Sequence, residues 1–154
     1  GPWRFGLGGS GEVLPRFENQ VSLHPTLKDK WGMPQLHIEA SFGENDMKMQ
    51  KDIADTAANI QAMLGVKDIR QNIKSSKDWP PGLTIHEVGT ARMGRDPKTS
   101  FLNANNQSHE VPNLFVTDGA CMTSVAWQNP SLTFMAITAR AAAFAAEAVK
   151  RNTI

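Results

Sequence analysis

The chain has 154 residues, of which 40% are hydrophobic and 20% are charged, so its length and composition suit a domain with its own core and exclude a disordered chain. The formal net charge of +1 excludes a broad electrostatic attraction to nucleic acid or to an anionic membrane surface. The single cysteine, Cys121, excludes an internal disulfide and a zinc site built on thiolates.

The glycine-rich start of the chain contains a match to a dinucleotide-binding motif. Gly6, Gly8 and Gly11 fit G-x-G-x-x-G, which binds a pyrophosphate where a buried strand precedes it and a helix follows it. Residues 2–5 do not have the pattern of a buried strand, and Pro15 removes a backbone donor from the first turns of any following helix. We therefore interpret these glycines as a flexible turn.

Three short strands are predicted in the first half of the chain. Alternating residues indicate a strand at 19–23, which we expect Pro25 to end, and a second strand at 35–42 with one buried apolar face. Residues 66–73 are predicted to return as a third strand. Together they favour a small antiparallel or mixed sheet.

A helix is predicted between the second and third strands. Its apolar residues recur at helical spacing up to about Leu64, and Asn45 or Asp46 is expected to cap its start. Gly65 suits a left-handed C-terminal cap. The expected fold class is therefore α+β, with this helix packed on the small sheet.

A polar connector separates the two halves of the chain. Residues 74–78 and the Trp-Pro-Pro-Gly sequence that follows them indicate a boundary, so we predict modules at 1–80 and 81–154. In the second module, long loops precede a short apolar strand at 113–119 that stops at Asp118 and Gly119.

The last predicted element is a long helix. Asn129 is a favourable N-cap and Pro130 suits the first helical position, so the helix is expected to run to about Arg151. Arg140 and Glu147 interrupt its apolar residues, which favours a buried helix over a membrane span.

Three ordered segments of the second half resemble the carboxy-terminal signature of the glucose-methanol-choline (GMC) oxidoreductase family. These segments are His86–Gly94, of the form H-x-x-G-T-x-x-M, Leu114–Ala120 and Asn129–Thr133. In that family the first motif supplies an active-site histidine, and a second catalytic His or Asn precedes a proline or another helix-opening residue downstream. Asn129 follows His86 by 43 residues, the separation expected for such a pair.

The resemblance is strong over residues 83–151 and looser over 13–73. One departure lies at 108–111, where many members have a glycine after the histidine that corresponds to His109. That departure leaves the turn geometry of this segment open.

The resemblance implies a fold, a cofactor and partners. Module 1–80 would be part of a substrate-binding domain. Module 81–154 would supply a strand and a long buried helix that complete an FAD-binding domain, whose main part, absent from this chain, is expected in an N-terminal domain of the same protein. Neither the electron acceptor nor the cellular compartment is indicated. The site residues implied for FAD are Asp118 and Gly119 near its ribityl or phosphate region, and Asn129, Pro130 and Thr133 at the start of the last helix.

The chemistry of the two candidate catalytic residues agrees with such a role. Oxidation of an alcohol removes a hydride equivalent, which a flavin can accept, and a proton, which needs another acceptor. His86 is the natural general base because the ordinary pKa of imidazole, about 6.5, is close to working pH. Asn129 can fix the substrate oxygen because its amide both donates and accepts hydrogen bonds.

Taken singly, these residues have simpler interpretations. His86 alone could be an ordinary loop histidine, Asn129 a helix cap and Asp118 a turn residue. Only their joint order and spacing favour catalysis. His24, His37 and His109 lack such support and are interpreted as structural or exposed.

Three hypotheses on function follow. The first is a flavin enzyme that oxidises a sugar, polyol or other alcohol; sugars are preferred because the R-M-G-R-D-P run beside this His and Asn pair is similar to the gluconate, fructose and pyranose-type branch. The second is that the chain as it stands is a non-catalytic fragment or binding module, which binds FAD weakly or not at all and tends to associate. The third, a hydrolase or metal enzyme, is disfavoured because the sequence has no G-x-S-x-G motif and no histidine pair at metal-ligand spacing.

Overall fold

A computed structural model describes residues 1–73, 79–83 and 85–154. The chain divides into two compact units, Gly1–Leu83 and Thr84–Ile154. The connector predicted at 74–78 lies outside the described residues. The assignment of the two units to a substrate domain and an FAD domain stays a prediction.

The first unit contains a two-stranded antiparallel sheet. Strand β1 (Gln20–Lys28) pairs with β2 (Pro34–Glu39), and the register shifts between Leu23 and Lys28. The prediction that Pro25 ends the first strand is wrong, because the irregular register lets the strand pass a residue that has no backbone N–H to donate.

The prediction of a third strand at residues 66–73 is wrong. The structure describes all eight of these residues and contains no strand there. Asp68 has a left-handed backbone with φ 55°, which interrupts an extended conformation. Gln71 bonds to the preceding helix instead, donating from Nε2 to Oδ1 of Asp55 at 3.0 Å.

Helix α1 (Glu44–Met63) occupies the predicted position, but its start differs from the prediction. The N-cap is Gly43, and Asp46 lies three residues inside the helix, where Oδ2 accepts from the backbone N–H of Gly43 at 2.7 Å. Oδ1 of the same buried carboxylate faces the N–H of Leu14 at 3.3 Å. At the other end Gly65 has φ +77°, in agreement with the predicted left-handed cap.

The α+β class with an antiparallel sheet is confirmed, but α1 does not pack on that sheet among the described residues of this unit. The glycine-rich start of the chain lies against α1 instead, so closely that a side chain on Gly9 would clash with Ile53 and one on Gly11 with Met49. Because no helix covers the sheet within this unit, Leu36 and Ile38 are 68% and 64% exposed, and the prediction of a half-buried second strand is wrong.

The second unit is organised around a loop and a short 3₁₀ turn, Gly119–Cys121. The loop that begins at His86 runs beside this turn through three backbone hydrogen bonds. Their donors are the N–H groups of Gly89, Ala91 and Met93, and their acceptors are the carbonyl groups of Gly119, Ala120 and Cys121. Leu102 and Cys121 are fully buried at the centre of the unit.

The strand predicted at 113–119 is not formed as a regular element. Phe115 makes one antiparallel bridge to Gln107, and the neighbouring backbone groups of Leu114 and Val116 bond to Ser108 and Asn106. This pairing is with an irregular loop, so no ladder extends beyond it.

Helix α2 (Ser131–Lys150) agrees with the predicted last helix, but it is not buried by the described residues of its unit. Ala141 and Ala148 are buried, whereas Leu132 and Met135 are 77% and 68% exposed. By length and composition alone α2 could also cross a membrane. Its N-cap is Pro130, so the prediction of Asn129 as the cap is wrong; the side chain of Asn129 bonds elsewhere.

Candidate active site

His86 has an unusual backbone conformation. Its φ of 75° lies in the left-handed region, which costs a residue with a side chain on the order of 1–3 kcal/mol. The loop that follows is held to the 3₁₀ turn by the backbone bonds of Gly89 and Ala91. Strain of this kind, held in place by surrounding bonds, is concentrated at functional sites.

His86 and Asn129 meet directly. Nε2 of His86 lies 3.0 Å from Oδ1 of Asn129. The bond can form with Nε2–H donating to Oδ1 or, after a flip of the amide, with Nδ2–H donating to a bare Nε2. In the second arrangement Nε2 carries no proton, so this nitrogen can accept one.

Both side chains line one open groove of about 470 Å³. The groove is bordered by the His86 loop, the 3₁₀ turn and the N-terminal turn of α2. Its lining residues are Ile85, His86, Glu87, Gly119, Asn129, Pro130, Ser131 and Phe134. Two side chains 43 residues apart therefore share a single cavity.

Gly119 allows the two walls of this groove to approach each other. A Cβ atom at this position would lie 2.9 Å from the backbone carbonyl oxygen of Glu87, and backbone cannot move aside as a flexible side chain can. The position therefore requires glycine for reasons of space.

We expect Gly119→Ala to lower the free energy of unfolding by about 1–3 kcal/mol, because the added methyl group pushes the His86 loop away from the turn. Thermal unfolding of the variant measures this loss. Gly8→Ala is the matched control, since nothing lies within 4 Å of the Cβ added there. Equal unfolding temperatures for the two variants would contradict the packing role of Gly119.

Of the other predicted cofactor residues, Pro130 lines the groove, whereas Asp118 and Thr133 do not. Asp118 is exposed, and its Oδ1 accepts from the N–H of Ala120 at 2.9 Å, which caps the 3₁₀ turn. Pro130 is buried and lines the groove. Thr133 is exposed in the first turn of α2 and does not line the groove. The structure thus brings together His86, Asn129, Gly119 and Pro130, with Asp118 next in the chain and Thr133 outside.

One polar contact of this unit is not predicted by the sequence: Arg140 of α2 bonds to the buried side chain of Asn106. Asn106 is fully buried, with φ 61°, and its Nδ2 donates to the carbonyl oxygen of Val116 at 3.0 Å. Nη2 of Arg140, from the middle of α2, donates to Oδ1 of Asn106 at 2.8 Å. The sequence feature that could indicate this contact is Arg140, because an arginine within an otherwise apolar helix needs a polar partner. The sequence alone predicts it only as an interruption of the apolar run.

Cys121 lies beside this contact. Burial raises the pKa of its thiol, an effect that the hydrogen bond with Asn106 partly opposes. A buried thiol of raised pKa is a poor nucleophile. The cysteine is therefore part of the packing of this unit.

The remaining histidines have local partners. Nδ1 of His24 accepts from the N–H groups of Thr26 and Leu27, and Nε2 of His37 lies 3.7 Å from Oε1 of Glu39. Nε2 of His109 lies 3.2 Å from Oγ of Ser100 and 3.3 Å from the carbonyl oxygen of Gly94. Over the described ranges of the chain, no cluster of His, Cys, Asp and Glu is arranged to hold a metal ion.

Comparison with known proteins identifies the class to which this fold and groove belong. A sequence profile described as GMC oxidoreductase matches residues 15–138. The chain therefore belongs to the GMC oxidoreductase family and represents its carboxy-terminal region. This family generally depends on FAD.

Three relatives show the range of the family. The chain is 36% identical over 131 residues to 2-methyl-1,2-propanediol dehydrogenase of Mycolicibacterium austroafricanum, covering 85% of this chain and 23% of the relative. It is 31% identical over 131 residues to C-glycoside 3-oxidase of Arthrobacter globiformis, covering 84% and 24%. It is 31% identical over 123 residues to the gluconate 2-dehydrogenase flavoprotein of Pantoea cypripedii, covering 78% and 20%. The chain thus spans about a quarter of the length of these relatives or less.

Proposed function

We propose that the protein containing this chain oxidises CH–OH groups of a sugar, polyol or other alcohol by hydride transfer to FAD. His86 is the proposed proton acceptor, and Asn129 orients the substrate. The observation that carries the proposal is the 3.0 Å contact between these two side chains in one open groove. Membership of a family that includes alcohol and sugar dehydrogenases and oxidases supports it.

The reaction divides between the cofactor and the chain. When bound, FAD supplies the acceptor for the hydride, that is, for the hydrogen on carbon with both electrons of its bond. The hydroxyl proton passes to Nε2 of His86, and a carbonyl group forms on the substrate. The amide of Asn129 donates a hydrogen bond to the substrate oxygen and keeps it beside Nε2. The proton and the hydride together account for the two hydrogens that the alcohol loses.

The residues around the groove fit a flavin ring on one side. The amides at the start of α2 precede the first intrahelical bond, from the N–H of Phe134 to the carbonyl oxygen of Pro130 at 3.0 Å. They carry partial positive charge, which suits the negative charge of a reduced flavin. Asn129 and Pro130 would hold the cofactor at this end, with Gly119 lining the same groove and Asp118 beside it. Thr133 would contribute only from outside the groove.

Sugars remain our preferred substrate class. The names of the C-glycoside oxidase and the gluconate dehydrogenase support a sugar or sugar acid, whereas the name of the propanediol dehydrogenase supports a small diol. C-glycosides, gluconate and the propanediol all carry the CH–OH group on which the proposed roles of His86 and Asn129 depend.

Anaerobic mixing of the FAD-loaded protein with a panel of sugars, polyols and simple alcohols tests the proposal. Loss of the oxidised flavin absorbance with at least one member is the expected result, and the product should contain a new carbonyl group. Dithionite serves as the control that the flavin can be reduced. A flavin that dithionite bleaches but no alcohol of the panel bleaches would overturn the proposal.

The exposure of apolar residues on α2 supports the hypothesis that the chain alone is not an active enzyme. We expect the 154 residues produced alone to bind FAD weakly or not at all and to associate. Association is expected because Leu132 and Met135 present apolar surface to water. Light scattering and the absorbance spectrum of the purified chain measure both properties. A monomeric yellow preparation would contradict this expectation.

A further inference from the structure

The two proposed catalytic residues lie on different segments, whose relative position sets the distance between their side chains. His86 begins the loop that runs beside the 3₁₀ turn, and Asn129 precedes Pro130, the N-cap of α2. Their side chains share one hydrogen bond, which a substrate hydroxyl has to replace. Their separation during the reaction therefore depends on how α2 is fixed to the loops behind the groove.

Arg140 makes that connection from the middle of α2. Its Nη2 donates to Oδ1 of Asn106 at 2.8 Å and lies 3.8 Å from Sδ of Met93. Met93 closes the His86 loop, and its backbone N–H donates to the carbonyl oxygen of Cys121 at 2.9 Å. One guanidinium group thus contacts both the His86 loop and a buried residue of the next loop.

Asn106 extends the connection to the 3₁₀ turn. The backbone carbonyl of Asn106 accepts from the N–H of Val116 at 3.0 Å, and Nδ2 of Asn106 donates to the carbonyl oxygen of Val116, also at 3.0 Å. Val116 lies three residues before Gly119, which lines the groove. Asn106 itself is fully buried, so losing one of its partners would leave a polar group without access to water.

We propose that Arg140 and Asn106 form a positioning pair that sets the distance between His86 and Asn129 for the reaction; this inference rests on the proposed function. Neither residue is among those that line the groove. The effect of the pair is to prevent α2 from sliding against the His86 loop, because the guanidinium of α2 bonds to Asn106 and also contacts Met93 of that loop. A displacement of about 1 Å between reacting groups can cost roughly 100-fold in rate.

A purely structural role would give a different result. A residue that only anchors a helix lowers the unfolding temperature when it is replaced, and the folded fraction keeps its chemistry. A positioning residue lowers the rate of the chemical step in protein that remains folded and still binds substrate. The two roles are therefore separated by the rate constant of flavin reduction at saturating substrate.

The test compares Arg140→Met, Arg140→Lys and Ser108→Ala in the FAD-loaded protein by rapid anaerobic mixing with the alcohol that reduces the wild type. Ser108 is the matched control, because it is buried in the same loop as Asn106 but, among the residues that the structure describes, its Oγ accepts only from the nearby N–H groups of Glu110 and Val111. Where Arg140→Met does not accumulate as folded protein, Arg140→Gln replaces it, since a shorter amide cannot reach both partners.

We expect Arg140→Met to reduce flavin roughly 10- to 100-fold more slowly, with substrate affinity changed by less than about threefold. Arg140→Lys should recover part of the rate, because an ammonium group can still donate to Oδ1 of Asn106. Ser108→Ala should stay within about twofold of the wild-type rate even where it lowers the unfolding temperature.

A wild-type rate in folded Arg140→Met, or an equal loss of rate in Ser108→Ala, would overturn the positioning role while leaving the proposed function intact. Failure of the proposed function gives a different pattern. In that case no alcohol reduces the wild type, or loss of the His86 imidazole leaves its reduction unchanged.

Discussion

Replacing His86 by Asn in the FAD-loaded protein is expected to lower the rate constant of flavin reduction by roughly 10²–10⁴-fold. The substitution removes the only imidazole that lines the groove of the second unit. Asparagine is the suitable replacement because it tolerates the left-handed backbone at this position, where φ is 75°. The variant should therefore fold with its groove intact, and the loss can be assigned to the missing proton acceptor.

Stopped-flow absorbance at saturating alcohol measures this rate constant. His37→Asn is the control, because His37 is exposed on a strand and outside the lining of the groove. Its reduction should match that of the wild type. If His86→Asn also bleaches at the wild-type rate, His86 has no part in proton removal.

Replacing Asn106 by Leu is expected to lower the free energy of unfolding by about 2–5 kcal/mol. One part, about 1–3 kcal/mol, is the cost of leaving the partly buried carbonyl of Val116 without its side-chain donor. A further part, about 1–2 kcal/mol, arises because leucine adopts the left-handed backbone poorly, and φ is 61° at this residue. Chemical denaturation monitored by circular dichroism provides the measurement.

Asn152→Leu separates these two contributions. Asn152 also has a left-handed backbone, with φ 53°, but it is exposed at the end of the chain. Its replacement should cost only the backbone part, about 1–2 kcal/mol. Equal losses in the two variants would mean that the buried hydrogen bonds of Asn106 contribute nothing measurable to stability.

Regular elements with a strong local pattern could be predicted from the sequence. Both helices and the first two strands were placed correctly because their periodicity is a property of the residues themselves. Element ends were less accurate. Pro25 is tolerated within β1 because the pairing there is irregular, and Asn129 does not cap α2 because its side chain bonds to His86.

Features that depend on contacts between distant segments could not be predicted in this way. Local sequence pattern favours a strand at 66–73 and a helix packed on the sheet. In the structure, however, the glycine-rich start of the chain lies against α1. The contact between Arg140 and Asn106 joins a helix to an irregular loop, for which no periodicity exists to detect. Only the ordered motifs of a known family allowed His86 and Asn129 to be predicted as partners.

The resting hydrogen bond between His86 and Asn129 has a consequence for selectivity. A hydroxyl group that enters between them exchanges one such bond for others, so its arrival yields little net binding energy. Under the proposed function, discrimination among alcohols would then come from the remainder of the substrate, through contacts with groove residues such as Phe134 and Ile85. A short alcohol would be held weakly even where its chemistry is competent, and larger substrates would gain their advantage away from the reacting carbon.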